Sequence, residues 1–157
     1  MTNTPTSGTT LRVEASADVR APAADVYRTI ADYRSGHQRI VPPDYFKNLR
    51  VVEGGYGDGT RIEFDVLAFG KTIHCRATID EPVPGRVLAE RDVDTGSVTQ
   101  FIVEPLDQST SRVTIASDRP LEHRGVLGWI ERAMTRSFLR GIYEKQLARL
   151  GEQVAVR

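Results

Sequence analysis

Residues 122–153 contain no proline, and no other stretch of the chain offers room for a dominant helix. At ~1.5 Å per residue such a helix spans roughly 45 Å. Val126, Ile130, Met134, Phe138 and Ile142 recur four apart, with Ala133, Ser137 and Gly141 beside them. They predict an apolar stripe edged by small residues. Arg132, Arg136, Arg140, Glu144, Lys145 and Arg149 occupy much of the remaining surface. A helix of this kind needs an apolar surface to cover, and the preceding chain has to supply it.

That preceding chain alternates. In 11–20, Leu11, Val13, Ala15, Ala17 and Val19 face one way and Arg12, Glu14, Ser16, Asp18 and Arg20 the other, the pattern of a half-buried strand. Pro22 suits a first helical turn and Asp25 the positive end of its dipole. Val26, Tyr27, Ile30 and Tyr33 then give a short helix with one apolar side. Ser35 is placed to cap a second short helix running to Ile40 or Val41. Pro42 and Pro43 stop it, because a proline disfavours helix at the residue before it.

Residues 47–53 read as a strand, followed by Gly54, Gly55, Gly57 and Gly59. A phosphate-binding loop should open a helix and close on Gly-Lys-Ser/Thr. Here residues 60–68 alternate instead, with Ile62, Phe64, Val66 and Ala68 on one face, so the glycines form a hairpin turn. A two-residue turn at Phe69-Gly70 sets Val66 opposite Ile73, Phe64 opposite Cys75 and Ile62 opposite Ala77. One register then gathers every apolar side chain on one face and sends His74 and Arg76 to the other. Further turns at 81–85, 94–96 and 105–109 delimit strands at 87–92, 97–104 and 112–117, and Pro120 leads to the long helix.

The order is therefore strand, two short helices, six strands in hairpin succession and a long helix. Hairpins make the sheet antiparallel with one wet face, and the long helix covers the dry one. The fold class is α+β: a curved seven-stranded sheet wrapped around the C-terminal helix, with the short helices closing one end. Residues 1–10 are polar and are expected to form a disordered lead-in, with a single domain over 11–153.

Four segments resemble the START/Bet v 1-like superfamily, in particular its polyketide cyclase/dehydrase-like branch. They are Ala21-Pro22-Ala23-Ala24-Asp25-Val26-Tyr27, the glycine-rich turn before Thr60, Glu81-Pro82-Val83-Pro84-Gly85-Arg86-Val87-Leu88, and Ile142-Tyr143-Glu144-Lys145-Gln146-Leu147-Ala148-Arg149-Leu150. The resemblance covers 11–153 and implies the helix-grip fold. It does not single out a chemistry, since members bind lipids, hormones, quinones or polyketides and only some are catalysts.

A cavity between sheet and helix is the usual form of a small-molecule site. Phe64, Val66, Ile73 and Cys75 are expected to line it from the sheet, and Met134, Phe138 and Ile142 from the helix. Strands 87–92 and 97–104 admit two facings. One turns Glu90 inward, with Thr99 and Phe101 from the partner strand; the other turns Arg91 inward. His37, in the second short helix, stands near the expected entrance, where it can donate a proton or bind a ligand oxygen. His37 and Glu90 are thus the catalytic candidates, with Tyr27 or Thr99 to orient a carbonyl. Cys75 is expected to be buried and inert.

Two readings follow. One is a binding or carrier protein for a hydrophobic molecule, whether lipid-, quinone- or polyketide-like; the other is a cyclase, aromatase or dehydratase using acid–base residues in the same cavity. A third, an interaction module, rests on Trp129, which lies beside Ile130 at the edge of the stripe and faces either a partner or the sheet edge. With 21 basic and 21 acidic side chains there is no basic excess to favour nucleic acid. No apolar run approaches the ~20 residues of a membrane span. One cysteine and three scattered histidines argue against a disulfide or metal site. A cytoplasmic monomer or homodimer without cofactor is the expectation.

Overall fold

The computed structural model describes residues 10–155. The lead-in expected over 1–10 lies outside them, save for Thr10, which opens the first strand. The elements are β1 (Thr10–Val19), α1 (Ala23–Ala31), α2 (Gly36–Ile40), β2 (Phe46–Glu53), β3 (Arg61–Ala68), β4 (Lys71–Val83), β5 (Val87–Asp92), β6 (Val98–Pro105), β7 (Ser111–Pro120) and α3 (Gly125–Ala155). The strands form one seven-stranded antiparallel sheet in the order β1-β7-β6-β5-β4-β3-β2. Each hairpin-linked pair is adjacent, and β1 closes on β7 along its whole length, from Thr10↔Pro120 to Val19↔Ser111. The long pairing carries β7 three residues beyond its expected end at 117. This is the helix-grip arrangement.

The β3–β4 register matches the alternation: Ala68↔Lys71, Val66↔Ile73, Phe64↔Cys75 and Ile62↔Ala77. Phe69 (φ 51°) and Gly70 (φ 74°) are both left-handed, as the twist of a two-residue hairpin requires. The facing of β5 and β6 is set by Leu88↔Phe101 and Glu90↔Thr99, and then by Phe101↔Ile115 and Thr99↔Ser117. Leu88, Phe101 and Ile115 make one buried row across the concave face. Glu90, Thr99 and Ser117 make the next. Arg91 points away and takes Asp80 at 2.9 Å.

α3 departs from expectation at its start and on its buried face. It begins at Gly125, not Glu122, because the Glu131 carboxylate accepts hydrogen bonds from the Glu122 and His123 amides and contacts the His123 ring at 2.7 Å. Those residues are held folded back on Gly128, where a Cβ would stand 2.5 Å from the His123 carbonyl oxygen.

The buried face is Leu139, Ile142, Tyr143, Gln146, Leu147, Leu150 and Val154. Val126, Ile130 and Met134 of the expected stripe are exposed, as are Leu127 and Trp129. The reason is helical geometry. Each four-residue step overshoots a full turn by about 40°, so a strict four-residue repeat winds around a straight helix. Mixed steps of four and three, as in 139–143–146–150, keep one face on the core. Trp129 is 68% exposed.

α2 also starts differently. Ser35 makes no capping bond; the Asp32 carboxylate accepts from the amides of Arg34, Ser35 and Gly36 instead.

Candidate functional site

The curved sheet, α2 and the middle of α3 enclose a cavity of about 530 Å³. Phe64, Val66, Ile73 and Cys75 line it from β3 and β4, and Thr99 and Phe101 from β6. Phe138, Leu139, Ile142, Tyr143 and Gln146 line it from α3. The volume and apolar walls suit a small organic molecule. Tilted aromatic rings mark its rim, Phe69 against Phe138 at 5.0 Å between centroids and Phe46 against Phe64 at 5.7 Å.

One wall carries a polar cluster. Gly36 allows it: a Cβ there would lie 2.4 Å from the Thr29 carbonyl oxygen, so α2 can rest directly on the backbone of α1. That contact carries His37 into the interior, 2% exposed. Its Nδ1 lies 2.8 Å from the Ile30 carbonyl oxygen, which can only accept, so Nδ1 bears a hydrogen. Nε2 then faces Glu90 Oε1 at 3.3 Å, and the contact is attractive only with a proton between them. The Tyr33 hydroxyl donates to the same Oε1 at 2.6 Å, and its ring stacks on His37 at 4.1 Å. Burial holds the Tyr33 hydroxyl well above its ordinary pKa, with the Glu90 charge adding to the effect. It is a fixed donor at any physiological pH.

A second polar group lies further along β7 and α3. The Tyr143 hydroxyl donates to Ser117 Oγ at 2.7 Å. Burial raises its pKa, while the Ser117 bond and the Arg119 charge oppose that. Arg119 continues the inward face of Val113, Ile115 and Ser117 and lines the cavity. Its Nε is buried and has no hydrogen-bond partner among the described residues.

Of the sequence candidates, His37, Phe64, Val66, Ile73, Cys75, Glu90, Thr99, Phe101 and Phe138 surround the cavity. Tyr27 and Met134 do not. The Tyr27 hydroxyl donates to Glu81 Oε2 at 2.6 Å, tying α1 to the glycine-rich turn, whose Asp58 amide donates to Glu81 Oε1. Met134 is half exposed, carried outward by the drift of its stripe. Cys75 is not buried in the core but half-buried at the cavity wall. Burial pushes its thiol up to about 11, with the Asp92 charge adding to the rise. His74, on the outer side of β4, meets Asp65 at 2.9 Å. Among the described residues no cluster of three or more His, Cys, Asp or Glu side chains could hold a metal ion, and no helix is long and apolar enough to cross a membrane.

Tyr33, Tyr143, Gln146 and Arg119 escaped the sequence reading. Arg119 was within reach, since the alternation Val113, Ile115, Ser117 needs only one further step. Gln146 and Tyr143 would have followed from a helix face drawn with mixed spacing.

The chain matches, over residues 10–155, the family described as polyketide cyclase / dehydrase and lipid transport. It is 33% identical over 131 residues to the granaticin polyketide synthase bifunctional cyclase/dehydratase of Streptomyces virginiae, across 80% of this chain and 42% of that protein. The chain thus spans less than half the length of this relative. Among solved structures, the KanY protein superposes with a TM-score of 0.81 at 23% identity, over 94% of this chain and 99% of that one. The Zhui aromatase/cyclase of Streptomyces sp. R1128 gives 0.77 at 21%, over 95% and 97%. A START superfamily protein of Mycobacterium smegmatis gives 0.70 at 14%, over 92% and 97%. At these identities the structural likenesses speak for the fold. The motifs, the helix-grip architecture and the match across 10–155 converge: the chain belongs to the polyketide cyclase/dehydrase and lipid transport family.

Proposed function

We propose that the chain binds a hydrophobic, oxygen-bearing molecule of the polyketide kind in this cavity and catalyses its dehydration or cyclisation. The observation that carries this reading is the convergence of His37 and Glu90 in the wall of an apolar cavity, with Tyr33 bonded to Glu90 from behind. The granaticin relative, a cyclase/dehydratase by name, supports it.

The chemistry is that of a paired acid and base. In a β-hydroxy ketone, the Glu90 carboxylate takes the proton on the carbon next to the carbonyl. The bond from carbon to the β-hydroxyl breaks, the hydroxyl takes the proton from His37 Nε2, and water leaves as the carbon–carbon double bond forms. Protonated Glu90 then returns its proton to His37. Tyr33 holds the carboxylate in place, and Thr99, directly across from Glu90, is placed to donate its hydroxyl to the substrate carbonyl.

A carrier role is the second reading. It is favoured by the self-sufficiency of the cluster, in which Glu90 and His37 already have partners without a ligand. A synthetic β-hydroxy polyketone thioester separates the two. The enzyme reading expects water loss accelerated by the wild type, slowed by about 10²–10⁴-fold in Glu90→Gln, with affinity for the thioester kept within a few-fold. Saturable binding without turnover by the wild type would leave the carrier reading. Turnover that survives Glu90→Gln would remove Glu90 from the chemistry.

A further inference from the structure

We propose that Arg119 is an anion-recognition site inside the cavity, so that the molecule bound there is an amphipathic acid: an apolar body bearing one carboxylate, sulfonate-like or enolate oxygen head. This inference rests on the reading of the cavity as a ligand site and adds the class of ligand.

The two neighbours at the end of β7 show the contrast. Asp118 points outward and receives Arg12 Nη1 at 2.9 Å. Arg119 points inward and enters none of the ion pairs formed among the described residues. The other arginines of the strands are matched in pairs: Arg12 with Asp118, Arg50 with Glu63, Arg61 with Glu53, Arg76 with Asp94, Arg91 with Asp80 and Arg112 with Asp18. All of these lie on the wet face; Arg119 is the strand arginine turned to the concave one, a face it shares with Lys71 at the exposed tip of the β3–β4 hairpin. The Nε of Arg119 is a buried donor lacking its acceptor, which is destabilising, and more so where the donor is part of a charged group. An oxygen anion at that place removes the cost.

The nearby acids do not fill the role. Asp92 lines the same cavity but spends Oδ1 on the amides of Asp94 and Thr95. Glu131 is bound to His123 and the amides before α3, and Asp94 is held by Arg76. Arg119 nevertheless acts on the interior: its charge lowers the pKa of both the Cys75 thiol and the Tyr143 hydroxyl, against the larger effect of burial. Its planar fork matches a carboxylate or sulfonate better than a point charge would.

The sheet also fixes the distance from this head group to the acid–base pair. Glu90 and Arg119 are two strands and two residues apart, so their backbones stand roughly 12 Å from one another. An anion held at Arg119 places the part of the ligand near Glu90 about two rings away. Arg119 would therefore set orientation, not take part in bond breaking.

Two fluorescent probes with a common body test this: anionic 1-anilinonaphthalene-8-sulfonate and neutral N-phenyl-1-naphthylamine, titrated into the full chain. The expected result is at least 10-fold tighter binding of the anion to the wild type. Arg119→Gln should abolish that preference without weakening the neutral probe, Arg119→Lys should retain part of it, and Arg136→Gln on the exposed side of α3 should change neither. Equal affinities in the wild type, or a preference that persists in Arg119→Gln, would overturn the anion site and leave the cavity standing. Failure of both probes would overturn the cavity reading together with the anion site. The wild-type ratio decides the matter even if a variant fails to fold.

Discussion

Tyr33→Phe removes one oxygen from the interior and nothing else, because the ring keeps its stack on His37. The lost bond is short, 2.6 Å, and its acceptor is the Glu90 carboxylate. A hydrogen bond to a charged group contributes ~1.5–3 kcal/mol. For a domain of this size each kcal/mol shifts Tm by about 2–4 °C, so the variant should melt roughly 3–12 °C lower at pH 7.

The pH dependence gives a second, independent readout. The folded state raises the Tyr33 pKa above its unfolded value near 10. Below pH 10 the hydroxyl is protonated in both states and its stabilisation is fully present. As the pH rises past 10 the unfolded chain releases this proton and the folded chain keeps it. Stability then falls by about 1.4 kcal/mol per pH unit. The variant lacks this group, so the gap between the two proteins should narrow above pH 10. Tyr27 and Tyr143, also raised, are common to both proteins and cancel. Urea unfolding followed by circular dichroism at pH 7, 10 and 11 measures both effects. Equal stability at pH 7 would mean that the bond is not made in solution. A constant gap from pH 7 to 11 would mean that the hydroxyl is not held protonated by the fold.

Gly57→Ala should destabilise by ~1–3 kcal/mol, because φ is +58° and the new Cβ would lie 2.2 Å from Glu81 Oε1. Gly59→Ala, with φ +85° and nothing within 4 Å, should lose less, and chemical denaturation of the pair separates collision from backbone strain. Leu150→Ala, at a site only 1% exposed, should lose ~2–5 kcal/mol, whereas Leu127→Ala, 65% exposed, should stay within about 0.5 kcal/mol; thermal melts compare them directly. Cys75, its thiol pushed up to about 11, should react slowly with iodoacetamide at pH 8 and faster as the pH approaches 11. Mass spectrometry should also show protection by any ligand that fills the cavity.

The strand pattern was legible because alternation is local: Ile62, Phe64 and Val66 against Ile73, Cys75 and Ala77 admit one register that buries all of them together. Glu90 was singled out as a candidate, but its facing was left between two alternatives, because its strand is amphipathic in neither sense, with Leu88 and Ala89 both buried on opposite faces. Long-range packing decided it, through the pairing with β6 and β7. His37 looked like a residue at the entrance. Its burial depends on Gly36 resting on Thr29, a contact between two helices that no periodicity reveals. The stripe on α3 was misread because identical spacing looks regular in sequence yet rotates in space.

The contact between Phe69 and Phe138 bears on how long an occupant stays. It joins the tip of the β3–β4 hairpin to α3 through two side chains and no main-chain hydrogen bond. An aromatic pair of this kind is worth ~0.5–1.5 kcal/mol beyond its area, and exposed rings change rotamer within ps–ns. Parting them leaves the β3–β4 ladder whole. For an occupant bound as proposed above, escape by this side requires only that pair to part, and its residence time is expected to follow the strength of binding, not the rate at which the protein unfolds.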